Sequence, residues 1–111
     1  MDVVMCIVTT KDESEAEKIA EVLLKKRLAA CCNIIPVIKS AYWWKGKLKK
    51  AEEAMIIIKT RKGLAENVIE AVRASHSYEV PTIDFIDVSN ANRDCLKWVE
   101  AETSAEASES D

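Results

Sequence analysis

The chain has 111 residues, 49% of them apolar and 32% charged, with a formal net charge of -3 and an isoelectric point near 5.3. That length makes one domain around one core, and the acidic balance argues against a protein that neutralises a phosphate backbone, so no nucleic-acid partner is expected. The longest apolar run, Val3 to Val8, is far short of the ~20 residues of a membrane span, and Asp2 with no basic residue before that run is unlike a secretory leader. No membrane partner and a cytoplasmic location are therefore expected.

Val3 to Thr10 is apolar and largely β-branched, and Lys11-Asp12 bounds it, so it reads as a buried strand with Cys6 as a small core residue. Asp12 with Glu15 three positions on has the capping-box pattern. Ala16, Ile19, Ala20, Leu23, Leu24 and Leu28 then recur at three-or-four spacing, predicting an amphipathic helix of about four turns. Ala29 to Ile38 is apolar again. Pro36 inside it cannot donate to a ladder, so this second strand lies at a sheet edge or bends there. The run continues through Tyr42, Trp43 and Trp44 to Lys45-Gly46-Lys47, the best hairpin turn in the chain, and a polar stretch then leads into Ala54 to Thr60. Two long antiparallel strands joined at Gly46, protruding at the turn end, are expected from this pattern.

After Gly63, Leu64, Ala65, Val68, Ile69 and Val72 repeat at helical spacing to about Ser75, and Tyr78-Glu79-Val80-Pro81 breaks the pattern. Thr82 to Val88 reads as a fourth strand, and Asn92 is placed to cap a short last helix containing Cys95, Leu96 and Val99, with Trp98 beside them. The folded domain is expected over residues 1–102. Residues 103–111, rich in Ser, Ala and Glu, read as a disordered acidic tail.

The order strand, helix, strand, strand, helix, strand is the βαββαβ pattern of the ferredoxin-like α+β fold: one antiparallel sheet with both helices on one face, here followed by a short C-terminal helix. The other sheet face is left uncovered. If Ile34, Ile56 or Ile58 lie on it, they need a partner, and self-association is the simplest source.

Few residues carry chemistry. His76, the sole histidine, falls where the second helix ends; the dipole favours an exposed imidazole there, and metal ligation with Glu79 as a second donor is the functional alternative. Cys31 and Cys32 point to opposite faces of a strand, so they do not grip one ion from the same chain. One packs under the helices; the other reads first as a plain core thiol, and the functional alternative is a soft donor at a subunit contact for copper(I) or zinc. The four cysteines, Cys6, Cys31, Cys32 and Cys95, include no C-x-x-C pair and are expected to be thiols in a reducing compartment. Tyr42, Trp43 and Trp44 suit a subunit contact better than a base-stacking platform, because Glu52 and Glu53 follow the local lysines. Lys59, at a strand end with Thr60, is a candidate anion contact. No nucleophile elbow, phosphate loop or H-E-x-x-H motif occurs, so an enzyme is not expected.

These residues carry a family resemblance. Leu28-Ala29-Ala30-Cys31, Asn33-Ile34-Ile35-Pro36, Ser40, Tyr42, Trp44, Gly46-Lys47, Glu53, Lys59-Thr60 and His76 with Tyr78-Glu79-Val80-Pro81 resemble, in order and at matching spacing over about residues 3–100, the CutA family of divalent-cation tolerance proteins. The resemblance implies a ferredoxin-like subunit in a tight homotrimer, sheets inside and helices outside. It also implies a likeness to the nitrogen-regulatory signal-transduction proteins, which bind small ligands in clefts between subunits. For function it implies tolerance of copper or another divalent metal, with weak copper binding through His76, Cys31 or Glu79. The alternative it implies is a metabolite sensor or trimeric scaffold with an intersubunit ligand cleft lined by Tyr42, Trp44, Glu53, Lys59 and Tyr78. Three ligands proposed in a bacterial copper-binding member are replaced here, by Val8, Ser75 and Thr82.

Overall fold

A computed structural model describes residues 2–104. Strand β1 spans Val3–Thr10, helix α1 Glu13–Lys25, strand β2 Cys31–Trp44, strand β3 Lys47–Arg61, helix α2 Ala65–Ser75 after one 3-10 turn, strand β4 Ile83–Asp87 and helix α3 Arg93–Glu102. All strand pairs are antiparallel, in the order β2-β3-β1-β4. This is the predicted βαββαβ arrangement with its extra terminal helix.

Local chemistry explains the element ends. Asp12 caps α1, its Oδ1 accepting the Glu15 N–H at 2.9 Å, while Glu15 Oε1 accepts the Lys11 N–H at 3.1 Å. At the other end α1 stops short of Leu28. Arg27 takes the left-handed conformation (φ 58°), its N–H reaches Leu24 O at 3.1 Å, and the Leu28 N–H reaches Leu23 O at 2.9 Å. These are the two bonds of a Schellman motif, and Leu28 folds back onto the core as its apolar partner. Leu28 therefore continues the helical periodicity without being helical.

Pro36 satisfies both expectations. β2 is an edge strand, and its register with β3 shifts between Ile35 and Ile38. Trp44 pairs with Lys47, leaving Lys45 and Gly46, both at positive φ (51° and 79°), as a two-residue turn of the kind that matches strand twist. Because β1 ends at the Thr10 to Ala54 pair, the β2–β3 ribbon runs on alone from residue 53 to the turn, about 20 Å at the usual strand rise. It makes the molecule elongated, 46 Å along its longest axis.

The core lies between the sheet and the helices. Cys6 and Val8 from β1 and Ile56 and Ile58 from β3 pack beneath Ile19 and Leu23 of α1 and Val68 and Val72 of α2. Each of the large apolar side chains contributes about 1.5–3 kcal/mol by its burial. Ile34, Ile56 and Ile58 are thus on the helix side, because paired residues share a face and they pair in line with Val8 and Cys6. The open face carries the other parity: Met5, Ile7, Met55 and Ile57 are half-buried, and Ile35 and Ile86 are exposed.

The chain end is tied down further than expected. Asn92 stands at the N-cap of α3 without a side-chain capping bond. Thr103, expected in the tail, is buried; Arg61 Nε donates to its Oγ1 at 2.9 Å and Arg61 Nη2 to its carbonyl at 2.7 Å. Arg27 Nη1 meets Glu102 Oε1 at 2.8 Å. Residues 105–111 of the expected tail lie outside the described residues.

Candidate functional site

The segment between α2 and β4 is held by groups from three elements. His76 is fully enclosed. Its Nε2 lies 2.7 Å from the Thr9 carbonyl, to which it donates, and its Nδ1 accepts the Tyr78 N–H at 3.1 Å. That pairing assigns the neutral tautomer with the proton on Nε2. Glu15, itself buried, uses its second oxygen to accept the Ser77 N–H at 2.8 Å, so one carboxylate joins the start of α1 to this segment. Burial acts to raise the Glu15 pKa, but the bonds from Ser77 and Lys11, with His76 nearby, outweigh it and hold the carboxyl below its ordinary range.

Tyr78 is the hinge between this segment and the hairpin. Its ring tilts against His76 at 4.7 Å between centroids, and its hydroxyl donates to Glu53 Oε2 at 2.6 Å. Burial, then the bond to Glu53 and its charge, push the phenol pKa well up, so Tyr78 keeps its proton as a donor. Glu53 is only 7% exposed although it is charged, and it sits one residue beyond the end of β1. The β3 ladder presents it and the Tyr78 hydroxyl satisfies it.

Between the ribbon and this segment lies a cleft of about 710 Å³. Tyr42, Trp44 and Glu53 line it from the ribbon and Tyr78 and Glu79 from the segment, with Ser40, Ser77 and Thr9 adding small polar groups. The ribbon's share is a continuous run of β2, with Ala41 and Trp43 lining the cleft alongside Ser40, Tyr42 and Trp44, so strand alternation alone does not set it. Lys45, at the turn, lies 5.5 Å over the Trp44 ring and 3.9 Å from Glu79 Oε1.

Four of the five residues expected in a ligand cleft are therefore brought together: Tyr42, Trp44, Glu53 and Tyr78. Lys59 is not among them. It pairs with Met5 and Cys31, six residues along β3 from Glu53 and toward the opposite end of the sheet.

The expected metal donors His76, Cys31 and Glu79 do not converge. His76 is bonded at Thr9, whereas Cys31 is level with Met5, about 13 Å away along the sheet. Both imidazole nitrogens are already engaged, Cys31 Sγ donates to Asn33 Oδ1 at 3.4 Å, and Glu79 faces Lys45. His76 is also not the exposed helix-end residue that the dipole favours. Among the described residues no group of three or more His, Cys, Asp and Glu side chains is placed to hold a metal ion. All four cysteines are free, and burial pushes the Cys6 and Cys32 thiols up to about 12, which keeps them from acting as thiolates at neutral pH.

Residues at the site missed from sequence include Thr9, Ser77 and Glu15, and Trp43, which alternation assigns to the other face. Glu15 reads fully as a capping residue, and only its burial reveals the second task. A small hydroxyl residue leaves no such signal.

The geometry defines a ferredoxin-like α+β domain with one open sheet face, a protruding hairpin and an acidic, aromatic cleft at the hairpin's base. Comparison with known proteins narrows this class. The profile of the CutA1 divalent ion tolerance protein family matches residues 4–102, and the chain belongs to that family. It is 43% identical over 95 residues to the divalent-cation tolerance protein CutA of Pyrococcus horikoshii, covering 86% of this chain and 92% of that one. It is 35% identical over 100 residues to the chloroplastic protein CutA 1 of rice, covering 90% of this chain and 56% of that one. The chain thus spans about half the length of the rice relative and nearly all of the archaeal one. Among solved structures, the periplasmic divalent cation tolerance protein CutA of Archaeoglobus fulgidus superposes with a TM-score of 0.89 at 38% identity, covering 92% of this chain and 99% of that one. No helix among the described residues is long and apolar enough to cross a membrane.

Proposed function

We propose that this chain is a homotrimeric small-ligand-binding protein that serves divalent-cation tolerance through the cleft at the base of its hairpin. The observation that carries the reading is the Tyr78 to Glu53 bond, which orders the polar wall of an open cleft of about 710 Å³. Pre-formed concave sites with few convergent polar groups and aromatic walls are where small molecules bind. Direct chelation of copper through His76, Cys31 and Glu79 is the weaker account, since those donors are apart and engaged. The free thiols favour a reducing, cytoplasmic setting, and no catalytic role is assigned.

Trimer formation is supported by the surface. Ile35 and Ile86 on the open face, Val37 at the β2 irregularity, and Trp43 and Leu48 on the ribbon are all at least 40% exposed, and the edge of β2 offers unpaired backbone groups. A trimer that packs three open faces together removes this exposure and brings each hairpin against a neighbour, which completes the cleft as an intersubunit site. Lys59 enters such a site only from another copy.

A thermal-shift screen of metabolites and divalent metals on the full chain, alongside a mass measurement in solution, tests the proposal. A ligand that binds only the folded state raises the melting temperature. A hit whose shift vanishes in Trp44→Ala supports the cleft, and shifts seen only with metals and unaffected by Trp44→Ala contradict it.

A further inference from the structure

Resting on the cleft reading, we infer that residues 77–82 form a strap that opens and closes the cleft, and that the bond from the Tyr78 hydroxyl to Glu53 is its latch. The strap joins α2 to β4. Among the described residues, none of its amides or carbonyls takes part in a main-chain to main-chain hydrogen bond. Ser77, Glu79, Val80 and Thr82 are exposed, Val80 by 63% although it is apolar. Segments with few main-chain bonds and little buried apolar area are the ones that open locally while the core stays folded.

Side-chain contacts hold the strap instead, and they differ in kind. At its start Glu15 Oε2 accepts the Ser77 N–H at 2.8 Å, and Glu15 is itself fixed by the Lys11 N–H, so this end is a pivot tied to α1. The Tyr78 N–H bonds locally, to His76 Nδ1 at 3.1 Å. Among the described residues two polar contacts cross from the strap to the ribbon: the Tyr78 hydroxyl to Glu53 Oε2 at 2.6 Å, and Glu79 to Lys45 at 3.9 Å. The second is an exposed ion pair and contributes little. The first joins a phenol that keeps its proton to a carboxylate only 7% exposed, and a hydrogen bond to a charged acceptor out of water is of the strong class. Breaking it frees the strap to swing about Ser77. The mouth between Tyr78 and Tyr42 then widens, and the imidazole of His76, otherwise enclosed, is uncovered.

The test uses the full-length, reduced protein without ligand. Opening is read from hydrogen exchange at the Tyr78 amide and from the rate at which diethyl pyrocarbonate modifies His76, the sole histidine. Local opening shows as rates that hardly change with low urea, whereas the amide of Ile57, on an inner strand, exchanges through a larger unfolding that urea promotes. Tyr78→Phe keeps the ring and removes the latch. Both rates are expected to rise about tenfold to hundredfold, the loss of one hydrogen bond to a charged group. Glu53→Gln keeps an acceptor without its charge and is expected to raise them less, about three- to tenfold. Because both variants act on the same bond, the double variant is expected to open no more than Tyr78→Phe alone. Rates in Tyr78→Phe within about twofold of the unsubstituted chain overturn the inference. So does a urea dependence at Tyr78 and His76 equal to that at Ile57, which would make the bond a prop of the whole fold, and so does full additivity in the double variant. None of these outcomes bears on the cleft reading, which the thermal-shift screen with Trp44→Ala decides separately.

Discussion

Replacing His76 probes the site where structure and sequence-based expectation part most clearly. His76→Ala removes an enclosed ring, its bond to the Thr9 carbonyl and its bond from the Tyr78 N–H. Each bond is worth about 0.5–1.5 kcal/mol net, and stranding a buried partner costs about 1–3 kcal/mol. Adding the lost packing against Tyr78, the expected loss of stability is about 3–4 kcal/mol. Two further variants divide that loss. His76→Gln keeps a donor near the Nε2 position and His76→Asn an acceptor near Nδ1, so each is expected to lose about half as much. Urea melts at one fixed protein concentration are the assay, because assembly makes apparent stability depend on concentration. A loss under about 1 kcal/mol in the Ala variant contradicts an enclosed, doubly bonded imidazole. Full stability together with lost copper affinity would restore His76 as a metal ligand.

The same geometry sets other outcomes. Glu15 has a pKa below its ordinary value of 4.5, so the native state binds fewer protons than the unfolded state there. Its contribution is complete above about pH 4.5 and is lost as pH falls through the lower folded value; acid titration of stability should show a flatter limb in Glu15→Gln. Gly46 has φ 79° with open space around its missing side chain, so Gly46→Val should cost about 1 kcal/mol through backbone strain rather than clash, read from urea melts, and a neutral result refutes the left-handed turn. Ile57→Glu places a charge on the open face without entering the core, and sedimentation should show smaller assemblies with secondary structure retained. Unchanged assembly would mean that this face is not the subunit contact.

Much of the fold was legible because its signals are local and chemically specific. Asp12 can cap only a helix that begins just after it, Pro36 cannot sit in the middle of a sheet, and Gly46 relieves the turn between two runs of β-formers. The sheet's parity was not legible. Met55 to Ile58 is apolar at every position, since one face meets the helices and the other is left half-buried, so no alternation marks which side Ile56 and Ile58 take. Leu28 misled for a related reason: burial keeps it apolar at helical spacing after Arg27 has already turned the chain. At the site, the aromatic and acidic residues of the hairpin stood out. His76 did not reveal its burial, because its partners are backbone groups of Thr9 and Tyr78, which any sequence would supply. Lys59 does not join Glu53 within one chain, because a shared strand says nothing about distance along it and six residues separate the two.

Where a ligand sits decides between the cleft and any other site. The direct measurement is a nuclear magnetic resonance titration of the full chain with the strongest hit from the thermal-shift screen, tracking the indole N–H signals of Trp44 and Trp98 and the ring signals of Tyr78. Trp44 and Tyr78 should shift together and saturably, while Trp98, out on α3, stays in place. Saturable shifts confined to His76 and Cys31, or to Trp98, would put the site elsewhere and contradict the cleft.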